Sequence, residues 1–249
     1  MTIRDRLRRL IPMSVRQARH QWRDRILDNE RHSELVGRRN FLRSASKAIA
    51  FNGITGDYAE FGCCGGGTFG MAYQALRARD LAAKLWAFDS FAGFPPPSHP
   101  EDEHPIWVAG GMAFSLSDFH AVCRSKGMRL DRDYKIVQGY YGDSLADDRL
   151  ERADRPRDIA LAYIDCDLYS STMDVLRFLR PRFKHGMIFA FDDYYCWSAN
   201  QVSGERNACN EIFAVNGQFR LVPYIQFGWH GMSFVLEEKQ RLKGADVHY

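Results

Sequence analysis

Ala160-Leu161-Ala162-Tyr163-Ile164-Asp165-Cys166-Asp167 and, further on, Gly186-Met187-Ile188-Phe189-Ala190-Phe191-Asp192-Asp193-Tyr194 share one pattern, an unbroken apolar run ending in two carboxylates. A run that is apolar on both faces reads as a strand buried on both sides, the mark of a parallel sheet covered by helices. Parallel neighbours end on the same edge, so these acids are expected to converge there. Outward from this pair, short apolar runs alternate with helical patterns from position 57 onward. Strands are expected at 58–61, 84–88, 134–138, 159–164 and 187–191, with helices at 68–79 and 171–179, the second stopped by Pro181. Two further runs, 218–225 and 232–237, flank the turn Phe227-Gly228-Trp229-His230-Gly231. They must pair antiparallel, because a parallel return needs a crossover of about a dozen residues. The expectation is an α/β fold, a doubly wound, mostly parallel seven-stranded sheet with a reversed last strand.

Converging acids carry a chemical demand. Two like charges about 4 Å apart repel by about 4 kcal/mol at an effective dielectric near 20, so such a cluster protonates or binds a cation. A hard divalent ion with oxygen ligands answers that demand, and Mg²⁺ keeps positions open for water and substrate. A metal at this edge lowers the pKa of a coordinated hydroxyl from about 15.7, as transfer of a carbon group to oxygen requires. The competing structural roles are a helix cap at Asp167 or Asp193 and a turn brace at Asp192.

A second signal lies in Tyr58-Ala59-Glu60-Phe61-Gly62-Cys63-Cys64-Gly65-Gly66-Gly67-Thr68, a strand that passes through a glycine-rich turn into a helix. Missing side chains let a ligand approach the backbone, and the helix behind offers unpaired N–H groups. A literal G-x-G-x-x-G occurs at Gly65, Gly67 and Gly70, but it starts three residues after the strand, whereas a dinucleotide fingerprint follows the strand directly. Asp89, after the next strand, suits the ribose hydroxyls of NAD and of S-adenosylmethionine equally. Glu60 suits a sulfonium ligand with an ammonium group better than a pyrophosphate; its alternative role is to brace the turn.

Composition bounds the rest. The chain has 249 residues, 45% hydrophobic and 26% charged, with a net charge of +3. Residues 1–43 hold twelve arginines against five acids, a balance of +7, and the remainder carries −4. Positive charge confined to one end argues against a nucleic-acid-binding protein, whose basic surface spreads along the binding face. Six cysteines without C-x-x-C spacing read as free thiols of a cytoplasmic protein. No apolar run reaches the roughly 18 residues of a membrane span, and no secretory leader is read at the start. Ile3, Leu7, Leu10, Ile11 and Val15 recur at helical spacing among arginines. That helix is expected to dock on the domain or a second subunit, with peripheral contact to an anionic membrane as the alternative. Residues 91–115, rich in Pro and Gly, read as a long surface loop of the lid or binding type, in which Trp107 and Phe114 would close over a substrate. Tyr195 and Trp197 would supply a sugar-stacking wall or pack in the core.

Glu60-Phe61-Gly62 with Gly65-Gly66-Gly67-Thr68, Phe88-Asp89-Ser90-Phe91-Ala92-Gly93-Phe94-Pro95, Gly142-Asp143-Ser144-Leu145, Asp165-Cys166-Asp167-Leu168-Tyr169-Ser170-Ser171-Thr172 and Phe191-Asp192-Asp193-Tyr194 occur in this order. Over about residues 40–237 the chain resembles the macrocin O-methyltransferase (TylF/MycF) family. The resemblance implies a class I, Rossmann-like, S-adenosylmethionine-dependent methyltransferase that uses Mg²⁺ to methylate a hydroxyl, often on a sugar of a natural product or polysaccharide. It implies that Glu60, Gly62 and Gly66 surround the methionine part of the cofactor, Asp89 the ribose, and Tyr140, Gly142, Asp143 and Ser144 the adenine side. Thr68 and Ser90 join the cofactor-binding set, and Asp165, Asp192 and Asp193 would hold the metal. The hydroxyl proton is expected to pass to Asp165, or to His230 in the final hairpin turn. The expected organisation is a helical arm, 1–43, for oligomerisation or as a lid, and a catalytic domain, 44–249, with an insertion at 91–115. The acceptor is a small molecule or glycan, and a homo-oligomer is expected. Two alternatives stay open: a metal-dependent glycosyltransferase using the D-x-D of Asp165 and Asp167, and a nicotinamide-dependent oxidoreductase.

Overall fold

The computed structural model describes residues 13–146 and 154–242, so the apolar positions Ile3, Leu7, Leu10 and Ile11 lie outside the described residues. The chain opens with helix α1 (Met13–Phe51), 39 residues and so about 58 Å long. It continues through β1 (Asp57–Phe61), α2 (Gly67–Arg77), β2 (Leu85–Asp89), α3 (Leu116–Ser125), β3 (Tyr134–Gln138) and a single turn α4 (Tyr141–Ser144). Then come β4 (Ile159–Ile164), α5 (Tyr169–Leu179), β5 (Ile188–Phe191), α6 (Gly204–Ala214), β6 (Phe219–Phe227) and β7 (Gly231–Glu238).

The strands form one seven-stranded sheet in the order β3-β2-β1-β4-β5-β7-β6. β1 to β5 pair in parallel, and β7 lies antiparallel between β5 and β6. The reversed strand is therefore inserted beside β5, and β6 again runs with the parallel set. Every residue of β4 is buried, as its unbroken apolar run requires. One core layer lies between the sheet and α5 and α6, around Phe61, Phe88, Phe178, Phe189 and Phe191. The other lies beneath α1, α2 and α3, around Tyr58, Phe69, Phe119 and Tyr163.

Helix α1 passes without a break through positions 43 and 44, where the charge balance changes. Residues 21–33 of this helix are mostly exposed, whereas Phe41, Leu42, Ala45 and Ile49 are fully buried at helical spacing. The Phe41 ring stacks on Phe227 at 4.7 Å, and Gly37 crosses the β6–β7 turn so closely that a Cβ would lie 2.9 Å from the Gly228 nitrogen. Trp229 in that turn donates its indole N–H to Glu34 at 2.9 Å. The hydrophobic stripe of α1 is thus part of the domain core.

Helices α3 and α6 each begin at a serine cap, Ser115 and Ser203. The 91–115 segment is tied at its neck, where Phe94 N–H donates to Gly111 O at 3.0 Å and Gly110 N–H to Phe94 O at 2.9 Å. Within it, a short 3-10 turn at Pro100–Asp102 carries a buried carboxylate, Asp102. Asp102 accepts the backbone N–H groups of Ser98 and His99 at 2.9 and 3.0 Å.

The burial of α1 has a measurable consequence. Phe41→Ala is expected to cost about 3–5 kcal/mol in urea unfolding, whereas Trp22→Ala, on an exposed turn of the same helix, changes stability by no more than about 0.5 kcal/mol. Equal and small effects would show that the helix is only appended to the domain.

Candidate active site

The site forms where β1, β2 and β4 end, at the point where strand order reverses across the sheet. Gly62 leaves β1 with φ of 87°, and a Cβ there would lie 1.8 Å from the carbonyl oxygen of Asp165, so glycine alone lets the two strand ends pass. Gly62 N–H donates to Phe88 O at 2.9 Å and Asp165 N–H to Phe61 O at 2.8 Å, stitching three strand ends together. At the end of β2, Asp89 accepts from Cys63 N and Cys64 N at 2.7 and 3.0 Å through Oδ2, and from Phe91 N at 2.7 Å through Oδ1. This carboxylate shapes the glycine turn and lines the cavity above it, which measures about 380 Å³. Gly67 and Thr68, the first residues of α2, line the same cavity. The leading N–H groups of a helix lack intrahelical partners, so this wall offers donors to a carboxylate or another anion.

The opposite wall carries Asp165, Asp167, Asp192 and Asp193. One oxygen from each of Asp165, Asp167 and Asp193 lies within 4.8 Å of the others, and Asp192, Asp193 and His230 form a second such group. The helix-cap role of Asp167 is not observed. α5 starts at Leu168 with no side-chain cap, and the Ser170 N–H is taken by Asp102 Oδ1 at 2.8 Å. Asp193 likewise does not cap α6, whose cap is Ser203. Asp165, Asp167 and Asp193 keep part of their surface open to the cavity but sit deep in the fold. Burial pushes all three carboxyls above the ordinary range, and the charge of Asp192 adds to the shift of Asp165 and Asp193, that of Asp193 to the shift of Asp167.

Glu205, in the first turn of α6, is fully buried and holds the two acidic loops together. Its Oε1 accepts from Cys166 N and its Oε2 from Asp193 N, each at 2.9 Å. α6 comes this close because Gly204 leaves room: a Cβ there would lie 2.5 Å from Tyr169 N. Burial, and then the charge of Asp193, raises the Glu205 carboxyl well above its usual value.

Helix α1 supplies the countercharge. Arg38 Nε donates to Asp192 Oδ1 at 2.9 Å, and Nη2 donates to Asp192 Oδ2, closing a two-pronged ion pair on a carboxylate that is only 1% exposed. Burial works against the guanidinium charge, but Asp192 outweighs it and holds Arg38 firmly protonated. Tyr163 OH also donates to Asp192 Oδ1. His230 is buried outside the cavity lining, with Nδ1 2.5 Å from the Asp192 carbonyl oxygen. A carbonyl only accepts, so Nδ1 carries the proton and braces the loop.

Of the residues expected from the sequence, Gly62, Thr68, Asp89, Ser90, Tyr140, Asp165, Asp192 and Asp193 line one cavity. Gly66 stands behind the turn against the Phe119 ring, and Gly142, Asp143 and Ser144 in α4 lie outside the lining. Glu60 is also outside it, buried on the α1 side of the sheet, where it accepts a hydrogen bond from Tyr58 OH. Tyr195 and Trp197 stack edge to face with each other outside the lining. Arg38, Leu35 and Glu205 are the additions. The basic N-terminal stretch holds many arginines and no local mark on Arg38, and Glu205 looks like any acid in a first helical turn.

Five carboxylates, Asp165, Asp167, Asp192, Asp193 and Glu205, thus meet one paired guanidinium among the described residues. That deficit of positive charge, with hard oxygen donors facing one cavity, fits a divalent cation.

Comparison with known proteins follows from this geometry. The family model described as macrocin-O-methyltransferase (TylF) matches residues 8–211. Mycinamicin III 3''-O-methyltransferase of Micromonospora griseorubida is 30% identical over 165 residues, covering 63% of this chain and 62% of that protein. The 8-demethyl-8-(2,3-dimethoxy-alpha-L-rhamnosyl)-tetracenomycin-C 4'-O-methyltransferase of Streptomyces olivaceus is 31% identical over 163 residues, covering 61% and 58%. The chain thus spans about three fifths of the length of the relatives it matches. In fold it is similar to the O-methyltransferase NovP, with a TM-score of 0.65, 23% identity and coverage of 80% of this chain and 79% of that one. It is also similar to the calicheamicin methyltransferase CalS11, with a TM-score of 0.62, 21% identity and coverage of 79% and 77%.

The burial of Glu60 gives a pH signature. Desolvation pushes its carboxyl from an ordinary 4.5 up to about 8; the hydrogen bond from Tyr58 opposes this, Asp192 adds to it, Arg38 opposes it and Asp89 adds to it. The folded state therefore holds a proton that the unfolded chain releases, and this stabilisation is complete below about pH 4.5 and lost as pH rises through about 8. Glu60→Gln removes the effect. Its Tm relative to wild type is expected to rise between pH 5 and pH 8 by at least about 2 °C, and a pH-independent difference in calorimetry would refute the assignment.

Proposed function

Since this chain belongs to the macrocin-O-methyltransferase family, we propose that it moves a methyl group from S-adenosylmethionine to a hydroxyl of a sugar or glycosylated natural product, with Mg²⁺ as the metal. The observation that carries this reading is a single cavity with two unlike walls. One wall has the glycine turn and the N-terminus of α2, and the other has acids short of a cation. A nicotinamide oxidoreductase leaves the acids without a role, and a glycosyltransferase leaves the glycine turn without one. The relatives' names add a sugar context: one is a 4'-O-methyltransferase whose substrate name contains a rhamnosyl group.

In this reading Gly67 and Thr68 N–H groups receive the carboxylate of the methyl donor, and Gly62 keeps the floor of the cavity open. Asp165, Asp192 and Asp193 hold the metal, with Asp167 beside them. When bound, Mg²⁺ acts as a Lewis acid that makes a hydroxyl easier to deprotonate. Asp165, which lines the cavity beside the metal site, takes the hydroxyl proton. Glu205 fixes the spacing of the two acidic loops, and His230 steadies the Asp192 backbone. Gly93, Phe94, Pro95 and Met112 from the 91–115 segment cover the cavity and keep water out. We assign the N-terminal region, 1–43, to closure of this cavity or to assembly with a second copy. Leu35 and Arg38 line the cavity, and Trp22 and Leu27 are exposed on the same helix.

Calorimetry with S-adenosylhomocysteine, UDP-glucose and NAD separates the readings. Binding of S-adenosylhomocysteine alone is expected, and Asp193→Asn weakens Mg²⁺ binding at least about tenfold, one lost ligand contact costing 1.4 kcal/mol or more. Methyl transfer at full rate in excess chelator would remove the metal from the mechanism, and binding of NAD or UDP-glucose instead would overturn the reading.

A further inference from the structure

Among the described residues, Asp192 is the one acid of the cluster paired with a cation. Its two oxygens accept from Nε and Nη2 of Arg38, Tyr163 OH adds a third donor, and His230 Nδ1 lies 3.6 Å from Oδ2. Asp165, Asp167 and Asp193 have no such partner among the ion pairs of the described residues. Arg38 belongs to α1, reaches the site from far along the chain, and shares the cavity wall with the acids it neutralises.

We propose that Arg38 is a positioning residue that competes with a divalent cation for Asp192, so that filling the metal site and docking this part of α1 are coupled. This rests on the reading of the acid cluster as a divalent-cation site. With the guanidinium in place, Asp192 is neutralised and steered by a planar fork, a fixed geometry that a carboxylate matches with both oxygens. An ion that takes an oxygen of Asp192 meets a like charge within a few ångströms, in a site where burial weakens solvent screening. The ion and Arg38 therefore exclude each other at this carboxylate. Linkage makes the effect reciprocal: whatever factor Arg38 takes from metal affinity, the metal takes from the docking of Arg38. Leu35 lines the cavity one turn earlier, and Glu34 holds Trp229 of the β6–β7 turn, so release of Arg38 loosens the part of α1 that borders the acceptor space. Phe41 and Leu42, buried one turn later, keep the helix attached throughout.

The test uses Mn²⁺ as probe on the full chain. Binding is measured by electron paramagnetic resonance for wild type, Arg38→Met, Arg38→Lys, Asp192→Asn and the Arg38→Met/Asp192→Asn double variant, with S-adenosylhomocysteine affinity as the check that each folds. Arg38→Met is expected to bind Mn²⁺ at least about tenfold tighter than wild type, and Arg38→Lys, which cannot engage both oxygens, by a smaller factor. In the Asp192→Asn background the Arg38→Met gain disappears. In wild type, Mn²⁺ speeds hydrogen exchange of the amides at 34–40, and in Arg38→Met it does not. Unchanged Mn²⁺ affinity in Arg38→Met, or exchange at 34–40 indifferent to Mn²⁺, overturns the coupling while leaving the metal site standing. Absence of Mn²⁺ binding in every variant, with S-adenosylhomocysteine still bound, overturns both.

Discussion

Two neighbouring parallel strands, β4 and β5, end in carboxylates on one edge of the sheet, and the rest of the site answers that crowding. A sheet edge gives these acids no freedom to separate, because strand spacing fixes their distance. The fold answers in three ways. Glu205 spends both oxygens on backbone N–H groups of the two acidic loops and holds them in register, although its own charge adds to the crowding. Arg38 neutralises Asp192, and burial raises the proton affinity of Asp165, Asp167 and Asp193. A structure built only for stability would avoid such a cluster, since buried like charges are costly unless paired.

The sheet was legible because its signals are local. β3 and β4 lie where the apolar runs place them, at 134–138 and 159–164, and the Phe227–Gly231 turn fixes the antiparallel pairing of β6 and β7. The acids were legible for the same reason: a strand end sets the edge on which the next side chains lie. The contribution of α1 was not. Its arginines dominate any window of the sequence, and the stripe Phe41, Leu42, Ala45 and Ile49 that buries it falls across the position where charge balance suggests a boundary. Asp102 was hidden for a related reason. It sits in a Pro-rich loop that reads as solvent-exposed, yet it is buried and takes the N–H of Ser170 at the start of α5. Contacts between residues far apart in sequence leave no periodicity to read.

Glu60 and Asp89 show how the same residue type supports different roles. Each lies at the end of a strand leading to the cavity, and each looks like a ligand-binding acid. Asp89 reaches the cavity, but its oxygens already accept three backbone N–H groups and fold the glycine turn. Glu60 is buried within the strand on the α1 side of the sheet and meets Tyr58. Position along the strand separates the two fates: Glu60 sits inside β1 and is buried, whereas Asp89 is the last residue of β2 and lies at the open edge.

The segment at 91–115 is pinned at its neck between Phe94 and Gly111 and again over 99–102, where Asp102 binds α5, Glu101 accepts from Asn207 of α6 and Pro100 O accepts from Gln201. Between these pins the chain touches the cavity but carries no strand or core helix. Lengthening a loop whose ends are already closed is thermodynamically mild, about 0.6 kcal/mol for each doubling. The stretches between these pins, 95–97 and 103–109, are therefore free to be rewritten by insertion and deletion while sheet, acids and glycine turn stay as they are. The fold separates what must be conserved for chemistry from what can drift, and a lineage carrying it can explore new acceptors through one surface segment.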